Sequence, residues 1–206
     1  SATALMNLVD GQISQKNYDE ALTNLNLILS DYSDTSIAED TVKRFASIYI
    51  AWGTEERAAE NFDQAERVFN DFNSWVQNNQ ISELEKDAAN GLLQTYLDWG
   101  LALQSQEQFD EALTKFDLAA NIDPQLLANA AAEAKSHQRE LYVIWGNDLL
   151  EQGEFAAAIE KFQVGVSKAD VGNEYGVNDA LANGYIQWAL QYTSGEDFLG
   201  ALVELE

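Results

Sequence analysis

Cysteine is missing from the chain altogether, which removes both a disulfide framework and any thiolate metal site. There is one histidine, His137, so the histidine pairs of common zinc sites are excluded and a Ser-His-Asp arrangement is improbable. It stands among Lys135, Gln138 and Arg139, in a polar stretch where a solvent-exposed histidine is expected. Positive charge is scarce too. Lys+Arg 11 against Asp+Glu 35 leaves a formal net charge of -24. Affinity for phosphate backbones and anionic headgroups comes from Lys and Arg, so nucleic acid and membrane surfaces are disfavoured as partners. The acidity keeps a chain soluble or suits a basic partner, and composition leaves both open. No apolar run approaches the roughly 18 residues that a membrane-crossing helix needs, so no insertion of this segment is expected. The opening Ser-Ala-Thr without Met, and the ending within a unit at Glu206, suggest a piece of a longer protein, bacterial in character.

Catalytic patterns are thin. Adjacent carboxylates such as Asp19-Glu20, Glu39-Asp40 and Glu55-Glu56 point about 100° apart on a helix, as solvated faces do. Asn173-Glu174-Tyr175-Gly176 is a faint echo of a calcium loop, which needs oxygen ligands at alternate positions. The glycines fit neither the dinucleotide nor the phosphate-loop pattern, since no strand precedes them. Neither enzyme activity, metal nor cofactor is expected.

What the chain does have is repetition. Trp52-Gly53, Trp99-Gly100 and Trp145-Gly146 recur at spacings of 47 and 46, and Trp188-Ala189 follows 43 residues later. Ten residues after each Trp stands Phe62, Phe109, Phe155 or Phe198, and three further on Ala65, Ala112, Ala158 or Ala201. Tyr49, Tyr96, Tyr142 and Tyr185 stand three before each Trp. Phe69, Phe116 and Phe162 lie seven after the first Phe of their copies. A first, weaker copy keeps Tyr18 and Ala21 but has Leu8-Val9 in place of Trp-Gly. A fixed period of this size marks a repeat array.

The pattern resembles the tetratricopeptide repeat family, in which a large apolar residue and Gly on one helix precede aromatic and Ala positions on a second. Trp99, Gly100, Phe109, Ala112, Phe116, Ala119 and Pro124 carry the resemblance best. It departs in period, because family members repeat about every 34 residues and these spacings are about a dozen longer. The resemblance implies an all-α fold, a right-handed superhelix of antiparallel helix pairs in one domain covering 1–206. The expected pairs are 2–32, 36–77, 82–122, 124–170 and 178–206. The regular Trp and Tyr are expected to fill the space between pairs, with the extra residues lengthening each first helix at its start. Ser36 with Glu39, and Ser82 with Glu85, have capping-box spacing. Asp123-Pro124 is a helix-start signal, so one helix is expected from Pro124 to about Gln152. A loop is expected to about Asn178, with final helices at 179–194 and 197–206.

The resemblance also implies a concave groove lined by the first helix of each pair, binding a peptide or partner helix. The candidate groove residues are Gln94, Asp98, Leu101, Glu140, Val143, Asn147, Leu150 and Gln187. Of the positions flanking the Trp and Tyr sites only Arg57 is basic, so the cationic clamp that some relatives close on a C-terminal carboxylate is absent. A basic partner with apolar anchors fits better. The Leu141 to Trp145 run is apolar all round a helix, which calls for burial on a second side by the chain's own helices or by a partner. Two alternatives remain open: an extracytoplasmic domain binding a glycan or small molecule on aromatics, and a module for self-association.

Overall fold

The computed structural model describes residues 2–31, 36–168 and 175–194. Among the described residues there are nine α-helices and no strand. They are α1 (Ala2–Ser14), α2 (Tyr18–Asp31), α3 (Ser36–Ala58), α4 (Phe62–Asn78), α5 (Glu85–Ser105), α6 (Phe109–Ala120), α7 (Ala130–Glu151), α8 (Phe155–Ser167) and α9 (Tyr175–Ser194). The fold is all-α, built of antiparallel helix pairs.

The pairs form because short turns follow a first helix and aromatic stripes face back onto it. In α4 the buried residues Phe62, Ala65, Phe69, Phe72 and Val76 are spaced three and four apart, one face of a helix. Asp63, Asp19 and Asp110 sit in first turns, where negative charge meets the positive end of the helix dipole. Each turn between paired helices is closed by the same device. Lys16, Glu60, Glu107 and Gly153 adopt φ values of 60°, 59°, 60° and 78°. Their N–H groups and those of the following residues donate back to the last helical turn, as in Lys16 N to Ile13 O at 2.9 Å and Asn17 N to Gln12 O at 2.9 Å. These are Schellman closures, which satisfy carbonyls that a helix end otherwise leaves open.

Packing divides the chain into two compact units, Ser1–Asp98 with Gln125–Ala128, and Trp99–Pro124 with Asn129–Glu206. In the first, α1 packs on α2, α2 on α3 and α3 on α4. Its centre holds Leu25, Ile28, Phe45, Ile48, Val68 and Phe72. In the second, α7 packs on α6, α8 and α9. The run from Leu141 to Trp145 is therefore flanked by the chain's own helices on several sides. Phe116, Leu141 and Phe162 are fully buried there.

Glycine sets how closely paired helices approach. A Cβ on Gly53 would lie 2.5 Å from the Phe69 ring, on Gly100 2.5 Å from Phe116, and on Gly146 2.3 Å from Phe162. The glycine after Trp52, Trp99 and Trp145 is thus a slot for the ring seven beyond the first Phe of the second helix. Phe69 meets a second glycine, Gly91, on its other side, where a Cβ would lie at 2.2 Å.

Several expectations are corrected. No helix begins at Pro124: residues 124–129 form turns, and α7 starts at Ala130. Ala130 and Ala134 are buried and open the packed face, whereas Leu126 and Leu127 are only half-buried and 125–128 group with the first unit. At Ser82 a 3-10 turn, Ser82–Leu84, precedes α5, and its N-cap makes no side-chain hydrogen bond. The last helix starts at Tyr175, ahead of the expected 178. The second helix expected at 197–206 lies outside the described residues. His137 is half-buried and stacks on Phe116 with ring centroids 5.4 Å apart. It stands eight residues before Trp145, as Gly91 stands eight before Trp99, so its ring does for Phe116 what the open space of Gly91 does for Phe69.

Candidate functional site

The Trp residues come first, because they separate the alternatives. Trp145 lies between two partners: the Phe109 ring stacks on it at 5.3 Å, and the Lys161 ammonium sits 3.4 Å from its centroid. Lys115 covers Trp99 at 3.1 Å in the same way. Trp52 stacks on Tyr18 at 5.5 Å and donates its indole N–H to Glu56 at 3.1 Å. Trp52, Trp99 and Trp145 are half-buried edge residues, while the inner space is filled by Phe72, Phe116 and Phe162. Trp145 is thus packed against Phe109 and Lys161 of the chain itself rather than standing free.

The candidate surface is the outward side of the first helices. In the first unit, α3 presents Ile50, Thr54 and Arg57, and α5 presents Gln94 and Asp98, both half-buried. Arg57 Nε stands 3.5 Å from Asp98 Oδ2, so the one basic group on this surface is already opposed by a carboxylate. Ile50, Thr54, Arg57, Gln94, Asp87 and Asn90 border a cleft of about 160 Å³. In the second unit, Leu101 and Glu140 are exposed, Val143 is half-buried, and Asn147 and Gln187 are exposed.

Leu150 does not belong to this surface. It is 7% exposed and packs with Ala158 and Phe162, because its position on α7 faces α8. Leu97, two residues before Trp99, is also buried. The large apolar residues exposed on the first helices of the second to fifth pairs are Ile50, Leu101, Ile186 and Leu190, at 38%, 37%, 58% and 61%; elsewhere Leu8, Leu27 and Leu118 are exposed as well. The first four lie two residues before or after a repeat Trp.

A polar network escaped the sequence reading. Gln138 is fully buried and donates from Nε2 to Asp117 Oδ1 at 2.7 Å, while its Oε1 accepts from Lys168 Nζ at 3.3 Å. It ties α6, α7 and the end of α8 together. The only signal was a polar residue at a helical core offset, and spacing alone does not distinguish that from a solvated face.

No protein-family model and no curated protein matches the chain. Among solved structures, one described as the functional characterization of Pseudomonas aeruginosa pilF is similar at 13% identity. The match covers 98% of this chain and 97% of that chain, with a TM-score of 0.24. A score that low carries no argument, and the fold rests on the helix pairs described above.

Proposed function

We propose that the chain is a non-catalytic protein-interaction module of the tetratricopeptide-like kind, which binds a peptide or partner helix on the outward side of its first helices. The observation that supports this reading is exposed apolar residues on helices that also carry acidic and amide groups: in the second unit Leu101, Ile186 and Leu190 with Glu140, Asn147 and Gln187, and in the first unit Ile50 on α3 with Gln94 and Asp98 on α5. The surface is mixed apolar and acidic, and its one basic residue is opposed by Asp98. A polypeptide carrying Lys or Arg beside apolar anchors suits it, with long-range attraction from the net charge of -24 that weakens as salt screens it.

The test is capture of partners from lysate of the source organism by the wild type and by Asp98→Lys with Glu140→Lys. Loss of a salt-sensitive partner in the double variant supports the reading. Retention of every partner at unchanged affinity removes this surface from consideration. A concentration-dependent dimer that disappears with Ile186→Ser and Leu190→Ser would assign the apolar pair to self-association instead.

A further inference from the structure

The side of a first helix that meets the preceding pair is covered in the second and fourth repeats and open in the first. In α3 that side is marked by Trp52, whose ring stacks on Tyr18 at the start of α2, and in α7 by Trp145, which stacks on Phe109 at the start of α6. Residues three and four before each Trp share its side of the helix. They are buried: Ile48 and Tyr49 in α3, Leu141 and Tyr142 in α7. The corresponding positions of α1 hold Leu8, Leu5 and Ala4. Leu8 is 50% exposed, Ala4 is exposed and Leu5 is half-buried. A Cβ on Gly11, one turn further on, would meet nothing within 4 Å.

This open side carries no charge. Ala4, Leu5, Leu8, Gly11 and Gln12 together span about a third of the helix circumference. The one charged residue of α1, Asp10, lies on the opposite side and pairs with Arg44 of α3. A repeat that only ends an array presents a polar outer face, and Leu8 departs from that. The missing charge bears on what covers the face, since interfaces are depleted of charge at their centre. A basic partner finds no carboxylate there. A second copy of the chain does fit, because two molecules of net charge -24 repel wherever their carboxylates come together and can meet where there are none.

The layout of the face suits a two-fold pair. Leu8 is the midpoint of α1, which runs from Ala2 to Ser14. A two-fold axis through that point lays the α1 helices of two copies antiparallel and sets Leu8 against Leu8. It also brings Leu5 of each copy opposite Gly11 of the other, where the missing side chain leaves room, and Ala4 opposite Gln12.

We propose that two copies of this chain pair through the open sides of α1, as a symmetric dimer centred on Leu8. The second copy then covers on α1 the side that α2 covers on α3. Met6 and Asp10, which correspond to Ile50 and Thr54, lie on another side of α1 and stay free. The dimer therefore leaves the outward surface open and does not rest on the function proposed for it.

The experiment is sedimentation equilibrium of the full chain over a concentration series, at about 0.1 M and about 1 M salt, where the Debye lengths are about 10 Å and 3 Å. A monomer–dimer equilibrium is expected, and it tightens at the higher salt because screening removes repulsion between like-charged copies. That response is opposite in sign to the one expected for a basic partner. Leu8→Glu sets two carboxylates face to face at the axis and weakens the dimer at least about a hundredfold, since like charges juxtaposed in an interface are strongly disfavoured. Gly11→Gln tests the face without charge. The single chain has room for the new side chain, so its thermal midpoint holds, while the crowding of Leu5 across the axis weakens the dimer at least about tenfold. This second variant decides the matter if Leu8→Glu fails to fold. Ile186→Ser with Leu190→Ser leaves the dimer unchanged. A chain that is monomeric at every concentration reached overturns the proposal, as does a dimer that both α1 variants leave intact. A dimer lost with Ile186→Ser and Leu190→Ser overturns it too and places the contact on α9.

Discussion

The two sides of the first helices follow different rules. On the inward side the same contact recurs in three repeats: a glycine after the Trp and a phenylalanine ring against it, in Gly53 with Phe69, Gly100 with Phe116 and Gly146 with Phe162. On the outward side the residue two before the Trp is Ile50, Val143 or Ile186, with Leu97 buried at that offset, and the residue two after is Thr54, Leu101, Asn147 or Leu190. Close packing at about crystal density fixes the first set, because a ring in a slot leaves no room for choice. Nothing inside the described chain constrains the second set to that degree. The difference separates residues that make the array from residues that are free to vary without loss of packing.

Breaking the inward side has the largest effect. Phe162→Ala empties a fully buried site between Gly146 and Gly184 and is expected to cost about 3–5 kcal/mol, read as a lower urea midpoint. A loss below about 1 kcal/mol would show that the helices close over the gap.

Glycines test the same point with opposite signs. Gly91→Ala places a methyl 2.2 Å from a Phe69 ring that Gly53 confines on its other side. The gain of about 1 kcal/mol in helix propensity is then outweighed by overpacking of about 1–3 kcal/mol or more. Gly11→Ala, in α1 with nothing within 4 Å of the new methyl, keeps the gain and stabilises by up to about 1 kcal/mol. Stabilisation by both variants would mean that the Phe69 slot is looser than its geometry.

Buried tyrosines sharpen the comparison through pH. Burial, helped by Asp71 and Asp19, pushes Tyr49 up to about 12, and burial with the hydrogen bond to Glu66 raises Tyr96 as well. A folded value above the ordinary one near 10 means that the contribution to stability is complete below that pH and is lost as pH rises through the folded value. Stability should fall between about pH 10 and 12, at roughly 1.4 kcal/mol per unit for one such group. Tyr49→Phe should flatten the decline. An unchanged slope would place the alkaline sensitivity elsewhere.

Periodicity made helix type and order legible, because burial of one face every three or four residues is a local property of the sequence. Depth of burial was not legible. Trp145 and Phe162 both recur at fixed offsets, yet Phe162 fills the centre and Trp145 lies half-buried between Phe109 and Lys161. That depends on what neighbouring pairs supply. Asp123-Pro124 shows the same limit: it is a sound local start signal, but the packed face of α7 begins at Ala130. On the candidate surface the offsets included Leu150, which is buried because α7 packs on α6 and α9 as well as on α8.

The smallest stability effect belongs to the outward side, and its smallness is what makes the experiment useful. Ile186 and Leu190 stand one helical turn apart on α9 with more than half of each side chain in water. Replacing both by Ser removes little buried area, and substitutions at exposed sites usually stay within about 0.5 kcal/mol. The thermal midpoint should therefore hardly move. Partner affinity should move, because apolar area that costs the free protein nothing to lose is area that only a complex buries, at about 25 cal/mol per Å². The two readings can be taken on one sample, by thermal unfolding and by titration against whichever protein Asp98→Lys with Glu140→Lys fails to capture. A midpoint lowered by several kcal/mol-equivalents would mean that the pair already covers part of the chain, and the outward side would then be inward at this end. An unchanged midpoint with unchanged affinity would remove α9 from the interface and leave α5 and α7 to carry it.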